Sequence, residues 1–146
     1  RYDTQIVLVC GPPGAGKTTL VRERMQYGDA VIDVDAIASA LSLNNSRRRH
    51  KSILSLTLSL IPSIIDAAIG RVPRLWIITQ GATKEARQQA LHGHKPDEVI
   101  ILRPNKSIVK ARVMSDDTRE PKGDWLKLVD KWFDENRQDD SERGVK

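Results

Sequence analysis

At 146 residues, 29% of them charged and 39% hydrophobic, the chain is long enough for one domain with a substantial core, and a second domain is not expected. The formal charge of +5 is local: Arg47, Arg48, Arg49 and Lys51 contribute four of those charges, so the overall pI says little about nucleic acid and this cluster says more. The single cysteine, Cys10, excludes an intramolecular disulfide, and no window approaches about 18 consecutive apolar residues. The N-terminal RYDTQIVLVCG lacks the regions of a signal peptide, which predicts a cytoplasmic protein with no membrane partner. A chain that begins at Arg1 rather than Met is expected to be a fragment or to have lost a leader.

The first predicted element is a strand over Gln5 to Cys10, stopping at Gly11, and a helix is predicted from Lys17 to Met25. Between them stands GPPGAGKT, the G-x-x-x-x-G-K-T phosphate loop in the strand-to-helix context that it requires. Glycines at 11, 14 and 16 let consecutive backbone N–H groups turn inward around a phosphate at a helix N-terminus. Lys17 adds a point charge for the β- and γ-phosphates, Thr18 offers a hydroxyl to Mg²⁺, and Pro12 and Pro13 stiffen the entry. The nucleotide-holding set is therefore Gly11, Pro12, Pro13, Gly14, Ala15, Gly16, Lys17, Thr18 and Thr19, with ATP and Mg²⁺ as the implied ligands. Cys10, at the end of a buried strand, reads as a small hydrophobe.

A second strand is predicted from Ala30 to Val34. Asp33 and Asp35 fall at its carboxyl end, two residues apart, so a strand would point both to one side. One suits the Mg²⁺ shell beside Thr18, and the other can accept the proton of a hydroxyl that attacks the γ-phosphate. The competing role for either is to cap the helix beginning near Ala36. The segment KSILSLTLSLIPSIIDAAIG alternates like a strand from Leu54 to Leu60. Its set Ile53, Leu56, Leu60, Ile64 and Ala68 also fits a helix, and a crossover to a third strand needs one. A helix kinked or interrupted at Pro62 is expected.

A third strand is predicted over Leu75 to Thr79, then a helix over Lys84 to Leu91, a fourth strand over Glu98 to Leu102 and a helix over Lys106 to Met114. His92 and His94 lie in a loop with no further metal ligands evident nearby. Trp76 reads as packing, and Trp125 as core or lid-facing. Phosphoryl transfer needs cations around the γ-phosphate, and the polar run KARVMSDDTREPK supplies Arg112 and Arg119 on what resembles a mobile lid, about residues 112–122. A last helix is predicted from Asp124, placed to cap, to Asn136, with Leu126, Val129, Trp132 and Phe133 on one side. The residues 138–146 read as a flexible polar tail behind a domain of residues 1–137.

The β-α-β alternation predicts an α/β protein: a three-layer P-loop NTPase fold with a mostly parallel sheet of about four or five strands, helices on both faces and a small lid. Function is expected at the strands' carboxyl ends, namely Gly11, Asp33 to Asp35, Thr79 to Gly81 and Arg103.

A P-loop with Lys17-Thr18, a strand ending in D-x-D and a distal arginine-bearing lid resemble the adenylate-kinase-like P-loop kinases, above all polynucleotide 5′-kinases and their small phage-type relatives. The resemblance spans residues 5 to about 133. It implies that Asp35 is the general base toward an acceptor hydroxyl, that Lys17 and Thr18 hold ATP·Mg²⁺ with Asp33 in the metal shell, and that Arg112 or Arg119 is the lid cation. WIITQGATKEAR is similar to the family segment that supports the acceptor, but Gln80 stands where an acid is usual, and Ala38 stands where an arginine grips the acceptor's phosphate. Arg47, Arg48 and Arg49 are candidate replacements for that grip, and Gln80 joins them as a candidate acceptor contact. An ATP-dependent phosphotransferase acting on a nucleic-acid or nucleotide-like hydroxyl is the leading function, with DNA binding in view. The D-x-D pair is equally similar to shikimate- and gluconate-type kinases, and a non-transferring NTP-binding module is the third alternative.

Overall fold

The computed structural model describes residues 1–142, with side chains described as far as Arg137. The strands are β1 (Gln5–Cys10), β2 (Ala30–Asp33), β3 (Arg74–Thr79) and β4 (Glu98–Ile101), and the helices are α1 (Lys17–Arg24), α2 (Val34–Ser42), α3 (Lys51–Ala68), α4 (Lys84–Leu91), α5 (Lys106–Ser115) and α6 (Lys122–Glu142). All strands pair in parallel in the order β2-β3-β1-β4, an α/β P-loop NTPase-like fold with a four-stranded sheet among the described residues.

Strand order decides where the site lies. From β1 the chain crosses over to β2 and β3 on one side and later to β4 on the other, so the crevice where ligands bind such sheets opens at the carboxyl end of β1. The register brings Cys10 level with Thr79 and Ile101, and Asp33 level with Ile78. The phosphate loop, the D-x-D segment and Gln80 therefore emerge at one rim.

Alternation along β1 builds both layers. Ile6, Leu8 and Cys10 face a cluster with Ile61 and Ile65 of α3, Ile37 of α2 and Leu91 of α4, while Val7 and Val9 face Val21 of α1 together with Trp76 and Ile78. Each fully buried aliphatic side chain contributes about 1.5–3 kcal/mol.

Three expectations are corrected by these elements. Strand β2 stops at Asp33, whose carboxylate accepts the Asp35 N–H at 3.0 Å and caps α2, so the helix begins at Val34 and Asp35 sits on its first turn rather than on a strand. Helix α3 is not interrupted at Pro62, and its buried stripe is Thr57, Ile61 and Ile65; Ile64 and Ala68 of the expected set pack beside it, whereas Leu56 is exposed with Leu54 and Leu58. Thr57 can lie inward because its hydroxyl donates to the Ile53 carbonyl at 2.7 Å. This helix is long and apolar enough to cross a membrane by length and composition, with a mean hydropathy of 1.3, and here it is the crossover from β2 to β3. Lastly, α6 starts at Lys122 and continues to Glu142, so Asp124 lies within the first turn and the helix does not end at Asn136. Of the expected tail, residues 143–146 lie outside the described residues.

Candidate active site

The phosphate loop is held from behind. The Gly11 N–H donates to the Gln80 carbonyl at 3.1 Å, and Ala15 N–H donates to the Pro12 carbonyl at 3.1 Å. Gly14 has φ +78°, and a Cβ there would come within 3.3 Å of the Val109 carbonyl, so α5 packs on the loop where only glycine fits. Gly16 provides the N-cap of α1 without any side-chain bond, which leaves the N-terminal amides of the helix for an anion. Lys17 donates its ammonium to the carbonyls of Gly11 at 2.6 Å and Pro12 at 3.1 Å. Burial pushes that ammonium down to about 8, with the charge of Arg119 acting in the same direction.

These groups line a cleft of about 1000 Å³. Its walls bring together Lys17, Thr18, Thr19, Asp33, Asp35, Arg47, Gln80, Arg112 and Arg119, joined by Trp125 and Asp116. Gly11 and Pro12 are buried behind it. Arg112 donates to the Gly14 carbonyl at 3.1 Å. Arg119 reaches the Asp116 carboxylate at 2.6 Å and stacks over the Trp125 ring at 5.4 Å; burial, followed by the Arg47 charge, holds its guanidinium below the ordinary value.

The donor set fits a Mg²⁺-nucleotide. Thr18 is exposed to the cleft, and Asp33 has one carboxylate oxygen engaged by the Asp35 amide. Mg²⁺ usually keeps several waters and takes one or two protein oxygens plus phosphates. The described residues accordingly need no cluster of three or more His, Cys, Asp or Glu, and they contain none.

The three adjacent arginines separate. Arg47 turns into the cleft and donates to the Asp35 carboxylate at 2.6 Å and to the Thr118 hydroxyl at 3.1 Å. Arg49 braces α2 by donating to the Asp35 carbonyl at 3.0 Å and the Ser39 hydroxyl at 2.7 Å. Arg48 is exposed, and neither it nor Arg49 lines the cleft.

The residues treated as minor in the sequence take structural places. His94 pairs with Asp66 at 3.0 Å and His92 ends α4, while Trp76 is buried with its indole N–H on Asp29. Burial pushes the Cys10 thiol up to about 11, outweighing the nearby Arg87 and Lys17 charges, so it is inert packing. Sequence reasoning missed Thr118 and gave Asp116 no place in the cleft. Burial opposes ionisation of Asp116, but bonds from Thr118 and the charges of Arg119 and Arg47 outweigh it and hold the carboxyl below its usual range. Trp132 is buried, as the apolar side of the last helix predicts, but its bond to the Gln80 carbonyl and the role of Asn136 one helical turn later were not foreseen.

A profile of the family described as AAA domain matches residues 6–123. Similar solved structures include the following two. A chain in the structure of the Pnkp1/Rnl/Hen1 RNA repair complex superposes with a TM-score of 0.76 at 13% identity, covering 97% of this chain and 47% of that one. A chain in another structure of the Pnkp1/Rnl/Hen1 complex gives 0.62 at 15% identity, covering 83% and 43%. The chain thus spans about half the length of these solved chains, and at such identities the likeness shows the fold alone. No curated protein matches. The family match and the two superpositions agree with the α/β P-loop NTPase-like fold that the motifs imply.

Proposed function

The chain belongs to the AAA domain family, and from that premise we propose that it is an ATP-dependent phosphotransferase moving the γ-phosphate to a hydroxyl of a nucleic-acid or nucleotide-like acceptor. The observation that carries this function is the position of Asp35: a carboxylate on the first turn of α2, across one cleft from Lys17, Thr18, Arg112 and Arg119. Bound ATP·Mg²⁺ supplies the phosphoryl group and part of the charge that neutralises its oxygens. The phosphate-loop amides and Lys17 hold the polyphosphate, and Thr18 with Asp33 receives the metal. The Asp35 carboxylate takes the proton of the acceptor hydroxyl as the hydroxyl oxygen bonds to the γ-phosphorus and the bond from that phosphorus to the β-phosphate oxygen breaks. Arg112 and Arg119 stabilise charge on the transferring oxygens, in a cleft where such donors act more strongly than in water. Gln80 and Arg47 border the acceptor side, and Arg48 is the one arginine of its cluster exposed to meet a polyanion.

A second function, phosphorylation of a small metabolite, is favoured by the same cluster, since Arg47 and Arg49 are turned to intramolecular partners. Incubation with ATP labelled at the γ-phosphate, Mg²⁺ and a panel of oligonucleotides, nucleosides and sugars decides between them. Label on an oligonucleotide or nucleotide hydroxyl is expected. Label on a sugar alone selects the metabolite kinase, and ATP hydrolysis without a labelled acceptor removes phosphotransfer altogether.

A further inference from the structure

Arg47 belongs to the connector between α2 and α3, which has no helix or strand of its own over residues 44–50. Its guanidinium donates through Nη1 to Asp35 Oδ2 at 2.6 Å and through Nε to Thr118 Oγ1 at 3.1 Å, while its backbone N–H donates to the Thr118 carbonyl at 3.0 Å. Thr118 in turn donates through its amide and hydroxyl to Asp116 Oδ1, and the other oxygen of Asp116 carries Arg119 at 2.6 Å. One unbroken chain of bonds therefore runs from Asp35 through Arg47, Thr118 and Asp116 to Arg119.

We propose that Arg47 is a positioning residue that ties the Asp35 carboxylate to the loop 116–121, so that the orientation of the acceptor-side acid and the placement of the loop arginine change together. The proposal rests on the phosphotransferase function only for the role of Asp35; the coupling itself is a property of the free protein. Arginine is required because a planar fork offers donors in fixed, divergent directions, whereas a lysine ammonium at the end of a flexible stem would satisfy Asp35 and release the Thr118 hydroxyl, leaving only the backbone bond from residue 47 to the Thr118 carbonyl. The contacts cannot be a local accident of sequence. Arg47 lies 12 residues from Asp35 and 71 from Thr118, and its side chain is 28% exposed.

Hydrogen exchange of the Thr118 and Arg119 amides in the ligand-free protein tests the coupling directly. Asp35→Ala removes a group whose hydrogen-bonded link to the loop runs through Arg47 and whose own charge is felt at Arg119, so the double variant separates the two routes. Asp35→Ala is expected to speed exchange at both amides by roughly 3- to 100-fold, the range spanned by interaction energies of contacting residues. Arg47→Ala and Arg47→Lys are expected to do the same, and Asp35→Ala combined with Arg47→Ala should exchange no faster than Arg47→Ala alone. If Arg47→Ala fails to fold, Arg47→Lys and Thr118→Val carry the comparison. Unchanged loop exchange in Asp35→Ala, or effects that multiply in the double variant, overturns the proposal. In the transfer assay, Arg47→Lys should lower kcat by about tenfold or more with the KM for ATP unchanged, since small misplacement of a positioned group costs up to about 100-fold. An unchanged kcat also overturns it. If the wild-type protein transfers phosphate to no acceptor, the phosphotransferase function fails, and the exchange data alone decide the coupling.

Discussion

Trp132 and Gly11 donate to the same oxygen, the carbonyl of Gln80, at 2.6 Å and 3.1 Å. The opening of the phosphate loop and a turn of the last helix thus share one acceptor at the end of β3. Asn136, one turn further along α6, adds a bond to the Ala82 carbonyl at 3.0 Å and receives Arg103 at 2.6 Å. Nearly all of α6 lies past the residues 6–123 that match the family, so this chain uses a helix outside the matched region to fix the loop that borders its cleft.

Trp132→Phe removes the indole donor and shrinks the buried ring. The expected loss of stability is about 1–2 kcal/mol, of which about 1 is the usual net contribution of one hydrogen bond and the rest a small cavity. Trp132→Ala should lose about 3–5 kcal/mol because it leaves a larger cavity. Urea unfolding with an unchanged slope measures both, and a Phe variant with a wild-type midpoint would mean that the shared carbonyl contributes nothing.

The Lys17 ammonium titrates near 8 in the free protein, below its ordinary value of 10.5. Between those values the unfolded chain binds more protons than the native one, so this group destabilises the native state most below about pH 8 and its penalty fades as pH rises toward 10.5. Lys17→Met should therefore gain stability relative to wild type at pH 7, and that advantage should shrink by pH 10. ATP requires the charged form, so wild-type affinity should weaken as pH rises through about 8. Lys17→Met should bind ATP weakly at every pH, with the fold intact by circular dichroism. Nucleotide titrations across pH 6.5–9.5 check this, and flat wild-type affinity would contradict it.

Asp35→Asn keeps the size of the side chain and removes its ability to accept a proton. Turnover should fall on the order of 100-fold or more, as general-base catalysis is typically worth, with ATP affinity retained. Single-turnover rates at saturating ATP measure the chemical step. A near-normal rate would move the base role elsewhere in the cleft.

Cys10 is fully buried, and its thiol is pushed up to about 11. Disulfide-exchange reagents at pH 8 should label it only as fast as the fold opens. Gly81 has φ +49°, and a Cβ there would lie 2.7 Å from the Cys10 sulfur, so Gly81→Ala should lower stability and accelerate labelling together. Fast labelling of the folded wild type would show that the sulfur is accessible.

The sequence by itself determined the phosphate loop, because glycine, lysine and threonine at fixed spacing between an apolar strand and a helix have a local physical meaning. It also determined the order of strands and helices, since apolar runs, caps and breakers act over a few residues. The face of α3 was decided only in the tertiary structure: Thr57 satisfies its hydroxyl within its own helix, so a polar residue could face the sheet while leucines faced outward. The end of β2 was likewise decided by a capping bond from Asp33 that a strand-period reading does not contain. The division of Arg47, Arg48 and Arg49 among the cleft, solvent and α2 depended on which partners the fold brought near, and Thr118 comes from 71 residues away. Charge at adjacent positions is legible in a sequence, whereas the direction of each long side chain is set by the carboxylates and carbonyls that packing places within its reach.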